Sequence, residues 1–417
     1  MGLLPCPLPC QSKKEREWDG SQSNHHLHSD ASSNSSSLSS QPSLPSVPSL
    51  TPPSQNVEHS SNAYHHLLAS LKGHSSYVFS LTIGGKHLYS GSSNGEIRRW
   101  SRDPSKQEKL VTSNIVAETH SGVKSMVVLG DKLFTAHHDH KIRVWKIDMD
   151  TNLPHQKYKC IATLPTFNDR CMKLFFAKNY VEVRRHKKST WVHHVDTVSA
   201  LALSKDGSLI YSVSWDRTFK VWRTSDFKCL ESVRNAHDDA INAIEISNDG
   251  LVYTGSADKK IKVWKKHEGD KKHTLVATLE KHTSAVNALA LNMDGSILYS
   301  GACDRSIIVW EKDGGTNHMV VSGALRGHTR AILCLAVVSD LVFSGSADKT
   351  VRVWRRGIGR SYSCLAVFEG HKGPVKCLTA AADKSESRDS SSGSSYLVYS
   401  GSLDCDVKIW KIWVPSV

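Results

Sequence analysis

Between Tyr64 and Trp410 the chain alternates apolar and polar residues in short bursts, each cut off by a cluster of Gly, Asn, Asp or Ser. The stretch Ile241-Asn242-Ala243-Ile244-Glu245-Ile246, then Ser247-Asn248-Asp249-Gly250, then Leu251-Val252-Tyr253 is representative. Period-2 alternation of this length, bounded by turn residues, predicts β-strands with one buried face. The pattern continues to Trp410 with no long helical period, so an all-β fold is expected.

The bursts repeat. Tryptophans at Trp100, Trp145, Trp222, Trp264, Trp310, Trp354 and Trp410 each close a β-branched run such as Val351-Arg352-Val353-Trp354. Six residues before them stand Asn94, Asp139, Asp216, Asp258, Asp304, Asp348 and Asp404. Four further back lie Ser90, Thr135, Ser212, Thr254, Ser300, Ser344 and Ser400, a hydroxyl each time. Upstream of these come His74, His120, His194, His237, His282, His328 and, after a longer interval, His371. Between each His and its Trp lie three predicted strands, and the segment leading to the next His supplies a fourth. The four polar residues can then form one buried chain of hydrogen bonds, carboxylate to imidazole to hydroxyl to indole, that fixes the turn of each unit.

These units resemble WD40 repeats, whose structural tetrad is His, Ser/Thr, Asp and Trp. The resemblance implies a seven-bladed β-propeller and a function in binding macromolecules. Two features depart from the pattern. The residue after each Trp is Ser101, Lys146, Arg223, Lys265, Glu311, Arg355 or Lys411, never Asp, and Gly before the His survives only at Gly73, Gly327 and Gly370. Neither belongs to the tetrad. Few residues follow Trp410, so residues 67–72, which resemble the fourth strand of the other units, are expected to complete the last blade and close the ring.

The propeller is thus expected over residues 63–413. A basic insertion at about 148–193 would extend the outer strands of the second blade, and a Ser-rich loop would occupy about 383–395. Residues 1–62 are poor in aromatics and crowded with Ser, Pro, Asn and Gln, a composition that predicts disorder. No run approaches the length of a membrane-spanning helix, and the first residues lack the basic-then-apolar order of a secretory signal. Cys6 and Cys10 are the candidates for lipidation. The ten cysteines contain no C-x-x-C pair and sit mostly in apolar runs, which suits free thiols of a reducing compartment, the cytoplasm and nucleus. The formal net charge of +13 suits nucleic acid, anionic lipid or acidic partners without choosing among them.

Seven Ser/His/Asp sets with a Trp at fixed spacing describe a folding device rather than a hydrolase triad, and no Gly-x-Ser-x-Gly elbow is present. His137, His138 and His140 flank Asp139 but read as loop histidines rather than metal ligands, as do His25, His26 and His28. No cofactor, metal or catalytic residue is expected. The candidate partner-binding positions follow the first buried residue of each innermost strand and point to the channel mouth: Phe79, Asn242, Asn287, Leu333 and Lys376, with Ser199 and Lys124 equivalent. Tyr77 and Trp215 add aromatics there, the residue types favoured in binding hot spots. The opposite face is expected to gather basic residues: Lys265, Lys266, Lys271, Lys272, Arg355, Arg356, Arg360, and the arm residues Arg184, Arg185, Lys187 and Lys188.

A finer resemblance rests on Asn179-Tyr180-Val181-Glu182-Val183-Arg184-Arg185-His186, on Trp191 and Val198-Ser199-Ala200-Leu201, and on Leu71-Lys72-Gly73-His74-Ser75-Ser76-Tyr77-Val78 behind a Ser-rich leader. It is similar to plant WD40 proteins of the JINGUBANG type. That resemblance implies a regulator that binds transcription factors and restrains pollen germination and growth; the propeller itself is expected to be monomeric and non-enzymatic. Relatives are often labelled myosin-heavy-chain-kinase-like, but no kinase glycine loop or catalytic-loop signature is present. The alternatives are a substrate receptor of a ubiquitin ligase, or a direct binder of nucleic acid or acidic lipid through the basic face.

Overall fold

The computed structural model describes residues 47–51, 63–103, 114–147, 157–174, 180–184, 187–315, 318–383 and 393–416. Strand β1 (Tyr64–Leu71) is followed by seven sets of strands. Blade 1 holds β2 (Val78–Gly84), β3 (His87–Ser92), β4 (Glu96–Ser101) and β5 (Ile115–Glu118). Blade 2 holds β6 (Val123–Leu129), β7 (Lys132–His137), β8 (Ile142–Lys146) and β9 (Lys159–Leu164). A helix, α1 (Phe167–Leu174), and a hairpin, β10 (Tyr180–Arg184) with β11 (Lys187–Thr190), precede blade 3: β12 (Val198–Leu203), β13 (Leu209–Ser214), β14 (Phe219–Arg223) and β15 (Cys229–Val233). Blade 4 comprises β16 (Ile241–Ile246), β17 (Val252–Ser256), β18 (Lys260–Lys265) and β19 (Thr274–Glu280). Blade 5 comprises β20 (Val286–Leu291), β21 (Ile297–Ala302), β22 (Ile307–Lys312) and β23 (Met319–Leu325). Blade 6 comprises β24 (Ile332–Val338), β25 (Leu341–Ser346), β26 (Val351–Arg356) and β27 (Tyr362–Phe368). Blade 7 takes β28 (Val375–Ala382), β29 (Gly393–Ser402) and β30 (Val407–Pro415), and borrows β1 as its outer strand.

Each sheet is antiparallel in the order inner to outer, and the seven inner strands contact one another in a cycle, β28 returning to β2. The structure is a closed seven-bladed β-propeller. Closure falls where the sequence placed it: Leu71 pairs with Val407 and Tyr64 with Trp413. The apolar faces form a core between neighbouring blades. There Gly301 lies so close to the next blade that a Cβ would stand 2.5 Å from Ile332, which leaves room for no side chain.

Buried polar chains hold the blades. In blades 3 to 7 the indole N–H of Trp222, Trp264, Trp310, Trp354 or Trp410 donates to the tetrad hydroxyl at 2.8–2.9 Å. An indole can only donate, so the hydroxyl accepts from it and passes its own proton to the imidazole Nε2 at 2.8 Å. Nδ1–H then donates to the Asp at 2.8–2.9 Å. Each of these carboxylates also accepts the amide after the His and the amide two residues beyond itself, as Asp258 does from Asp238 and Lys260. Burial works to raise the Asp258 pKa, but the His237 bond and the two amides outweigh it and hold the group at about 2.

Blades 1 and 2 correct three expected tetrad members, His120, Asp139 and Asn94. His120 is exposed; His137 is fully buried and takes its place, 2.7 Å from Thr135, with Trp145 donating to the same hydroxyl. The alternation of β7 puts residue 137 on the same face as residue 135, so a ring there reaches the hydroxyl directly. Its Nδ1–H turns to the Ser121 carbonyl, and Asp139 pairs instead with Arg143 at 2.6 Å. In blade 1 His74 and Trp100 meet Ser90 as expected, but Asn94 bonds Ser75 and Glu96 rather than His74. Glu96 stands 3.5 Å from His74 Nδ1 and supplies the negative charge. Burial, with Arg98 nearby, lowers the His74 pKa to about 4; burial and Arg143 do the same to His137.

Three further expectations need correction. The insertion does not extend blade 2's outer strands. It joins β9 to β12 as α1 and the β10–β11 hairpin, and Asp169 of α1 accepts the Cys229 amide of blade 3 at 2.9 Å. The Ser-rich loop is shorter than 383–395, because Gly393–Ser395 belong to β29 and the Asp383 amide bonds the Ser395 carbonyl. The expected disorder of residues 1–62 is interrupted at Val47–Thr51, which pair with the edge of β23. Cys6, Cys10 and the rest of that segment lie outside the described residues. The described cysteines are all free, three of them buried. No helix among the described residues is long and apolar enough to cross a membrane.

Replacing His137 by Ala should lower stability by about 1–3 kcal/mol, the cost of orphaning buried polar partners, while His120→Ala should change it by less than about 0.5 kcal/mol. Chemical unfolding followed by tryptophan fluorescence separates the two, and equal losses would restore His120 to the tetrad. His74 and His137 are held neutral, with folded pKa values of about 4 against an ordinary 6.5. Their contribution is complete above pH 6.5 and lost as the pH falls from there toward 4. Tm should therefore drop on acidification across that window, and His137→Gln should drop less steeply. A variant slope equal to the wild type's would contradict the assignment.

Candidate functional site at the channel mouth

Every inner strand opens with a β-bulge. The register skips one residue between Val78 and Ser80, Val123 and Ser125, Val198 and Ala200, and Ile241 and Ala243. It does so again between Val286 and Ala288, Ile332 and Cys334, and Val375 and Cys377. The skipped residues are Phe79, Lys124, Ser199, Asn242, Asn287, Leu333 and Lys376, the positions that spacing had singled out. A bulge frees its residue from the ladder and re-aims the side chain. Each bulge sits at the end of the inner strand nearest the Asp-bearing turn, so the seven side chains share one end of the channel.

Their occupations differ around the ring. Asn242 donates to the Val286 carbonyl at 3.0 Å, Asn287 to the Ile332 carbonyl at 2.8 Å and Ser199 to the Ile241 carbonyl at 2.5 Å. In other blades the next residue makes the same tie: Ser80 to Val123, and the thiols of Cys334 and Cys377 to Val375 and Val78. Between blades 2 and 3 the Leu201 amide donates to Ser125. All seven interfaces are thus latched at this level. Asn242 and Asn287 are half-buried latches as well as rim residues, a role that spacing alone does not reveal.

Blades 1 to 3 present a different sector. The Lys124 ammonium lies 3.9 Å over the Phe79 ring and 5.4 Å from that of Trp215. Tyr77 stands 6.5 Å from Phe79 and is 51 % exposed. His138 packs edge-on against Trp215 at 6.2 Å and bonds the Thr197 hydroxyl at 2.6 Å. Burial, then the Lys124 charge, lowers its pKa, so the ring is neutral at physiological pH. His138 was read from sequence as a solvated loop residue; the signal that places it here is its position beside the Asp139 turn, facing blade 3. The sector offers two aromatic faces against one ammonium, flanked by Tyr77 beside Phe79, an arrangement able to grip an extended segment with apolar and acidic side chains. Leu333 and Lys376 sit half-buried elsewhere on the rim.

The expected basic face is less free than the charge count suggests. Arg355 pairs with Asp340 at 2.5 Å, and Arg356 and Arg360 both reach Glu311. Arg98, Lys220 and Lys408 are buried inside blades, and Lys220 donates to the Trp191 carbonyl and Ser232. Lys265, Lys266, Lys271 and Lys272 are exposed. Arg185, and the side chains of Arg184, Lys187 and Lys188, lie outside what the structure describes. The arm leaves β9 and enters β12 at the end that carries the bulges, not from a loop after a tetrad Trp.

A ring of seven four-stranded blades, locked by buried tetrads and displaying re-aimed side chains at one mouth, defines a repeat propeller of the macromolecule-binding class. Residues 65–101, 185–223, 227–265, 273–311, 319–355 and 362–411 match the model of the WD domain, G-beta repeat. The chain belongs to the WD40 repeat family. The core of blade 2, where His137 stands in for the usual His, falls outside the matched segments.

Among similar proteins, Autophagy-related protein 16 of Arabidopsis thaliana is 25 % identical over 209 residues, 47 % of this chain and 39 % of its own length. Small ribosomal subunit protein RACK1 of Drosophila melanogaster is 33 % identical over 102 residues, 24 % of this chain and 30 % of its own. An uncharacterized WD repeat-containing protein of Schizosaccharomyces pombe is 28 % identical over 232 residues, 52 % and 62 % respectively. The chain therefore spans only part of each of these relatives. WD40 propellers mediate protein–protein interactions and are generally non-catalytic scaffolds, and no enzyme family is indicated.

Asn287→Ala should lower stability by about 1 kcal/mol, the worth of one part-buried hydrogen bond, and leave the Tyr77 sector intact. A denaturation midpoint unchanged from wild type would show that the latch is dispensable.

Proposed function

We propose that this chain is a non-enzymatic protein-interaction scaffold that captures a regulatory protein on the Tyr77–Phe79–Lys124–Trp215 sector. The observation that carries the proposal is the cation–aromatic cluster itself, set by bulges at the mouth of a rigid ring and crossing three blades. Such a site is preorganised, so little ordering cost opposes binding. The resemblance to JINGUBANG-type proteins supports the finer reading: a plant regulator, acting in cytoplasm and nucleus, whose partner is a transcription factor and whose effect is to restrain pollen germination and growth. The pairing of Arg355, Arg356 and Arg360 with acidic neighbours weighs against the basic face as a nucleic-acid or lipid surface. No particular observation favours a ubiquitin-ligase receptor.

Tyr77→Ala combined with Phe79→Ala should reduce partner recovery by about tenfold or more in affinity purification with mass spectrometry from pollen extract, at unchanged Tm. Full recovery by the folded double variant would remove this sector as the site.

A further inference from the structure

Residues Val47–Thr51 are seated in a groove between the outer strands of blades 5 and 6. Ser49 forms a parallel bridge to Ala324 on the free edge of β23. The Leu50 amide donates to the Ala324 carbonyl and the Ala324 amide to the Pro48 carbonyl, both at 2.9 Å. The Tyr362 amide of blade 6 donates to the Leu50 carbonyl at 2.9 Å, so the segment ties two blades together. Arg326 donates to the Val47 carbonyl at 3.1 Å.

The side chains divide the work. Val47 is buried at 4 % exposure in the core shared by blades 4 and 5. Leu50 packs on the cluster that holds Tyr299, Trp354 and Tyr362. The groove exists because residue 323 is Gly: a Cβ there would collide with Leu50 and lie 2.9 Å from the Pro48 carbonyl. Pro48 has no amide to leave unpaired, and its side chain, like that of Ser49, faces outward.

We propose that this groove is a recognition site for extended peptides of Val-Pro-Ser-Leu-Thr character, and that the chain's own residues 47–51 occupy it in cis. Strand addition to a free edge supplies affinity through the main chain, and two apolar pockets three residues apart supply selectivity. A connection no longer than residues 52–62 gives the tethered segment an effective concentration on the order of millimolar. A segment of modest intrinsic affinity therefore stays seated, and a competing peptide of the same character gains access when the tail is released. The site lies on the outer rim of blades 5 and 6, apart from the channel-mouth sector of blades 1 to 3, and stands independently of it.

The test uses the full chain and a fluorescently labelled synthetic peptide with the sequence of residues 46–52. Leu50→Asp places a charge in an apolar pocket and should release the tail without touching the ring. The released chain should bind the peptide about tenfold or more tighter than wild type, because the tethered competitor is gone. Gly323→Val added to Leu50→Asp should abolish that binding, and Arg326→Ala in its place should weaken it if the valine prevents folding. Hydrogen exchange should show the Leu50 and Ala324 amides protected in wild type and exposed in Leu50→Asp. Absence of peptide binding by folded Leu50→Asp would overturn the proposal, as would unprotected Leu50 in wild type. Protection that disappears on dilution would overturn occupancy in cis in favour of a second copy's tail.

Discussion

The indole of each tetrad Trp can donate a hydrogen bond and do nothing else, and the polarity of the blade follows from that. The hydroxyl accepts from it and, wherever a carboxylate or carbonyl takes the Nδ1–H, is left to donate to Nε2. With Nε2 accepting, the Nδ1 proton needs an acceptor outside the sheet. In five blades the acceptor is an aspartate that also gathers two backbone amides, so the turn between the second and third strands is held by three bonds to one carboxylate. The residue after that Asp stands at positive φ, at Lys259 as at Lys349, although neither is glycine. The buried network outweighs that strain.

Blades 1 and 2 show how little of this arrangement is optional. Thr135 keeps its indole donor and imidazole acceptor when the His moves from the usual turn to β7, and Ser90 keeps both when the Asp becomes Asn. What varies is the far end of the chain, where Nδ1–H meets a carbonyl in one blade and stands near a glutamate in the other. The hydroxyl between ring and indole is the invariant centre.

Strand order, blade number and closure were legible in the sequence because the period-2 pattern and the tetrad spacing both report on local geometry. His137 was not, although a signal existed: at its position the other units carry Ser or Ala, and a His there is conspicuous. The rim positions were found by counting, but their cause, a bulge at the start of each inner strand, depends on how strands pair and leaves no mark in composition. The latching of Asn242 and Asn287 depends on the neighbouring blade and is invisible for the same reason. Val47–Thr51 escaped because its surroundings read as a disordered Ser/Pro-rich tail. Two aliphatic residues suffice to seat it once β23 offers an edge and Gly323 a hollow, and both lie far away in sequence.

The closing pair also has a mechanical character. In β1 and β30 the chain enters beside Tyr64 and leaves beside Trp413, directly opposite each other. Tension applied at Tyr64 and Trp413 therefore opens this pair like a zipper, loading one hydrogen bond after another rather than all at once. The closed ring thus has one seam along which a steady pull at those two residues separates it stepwise.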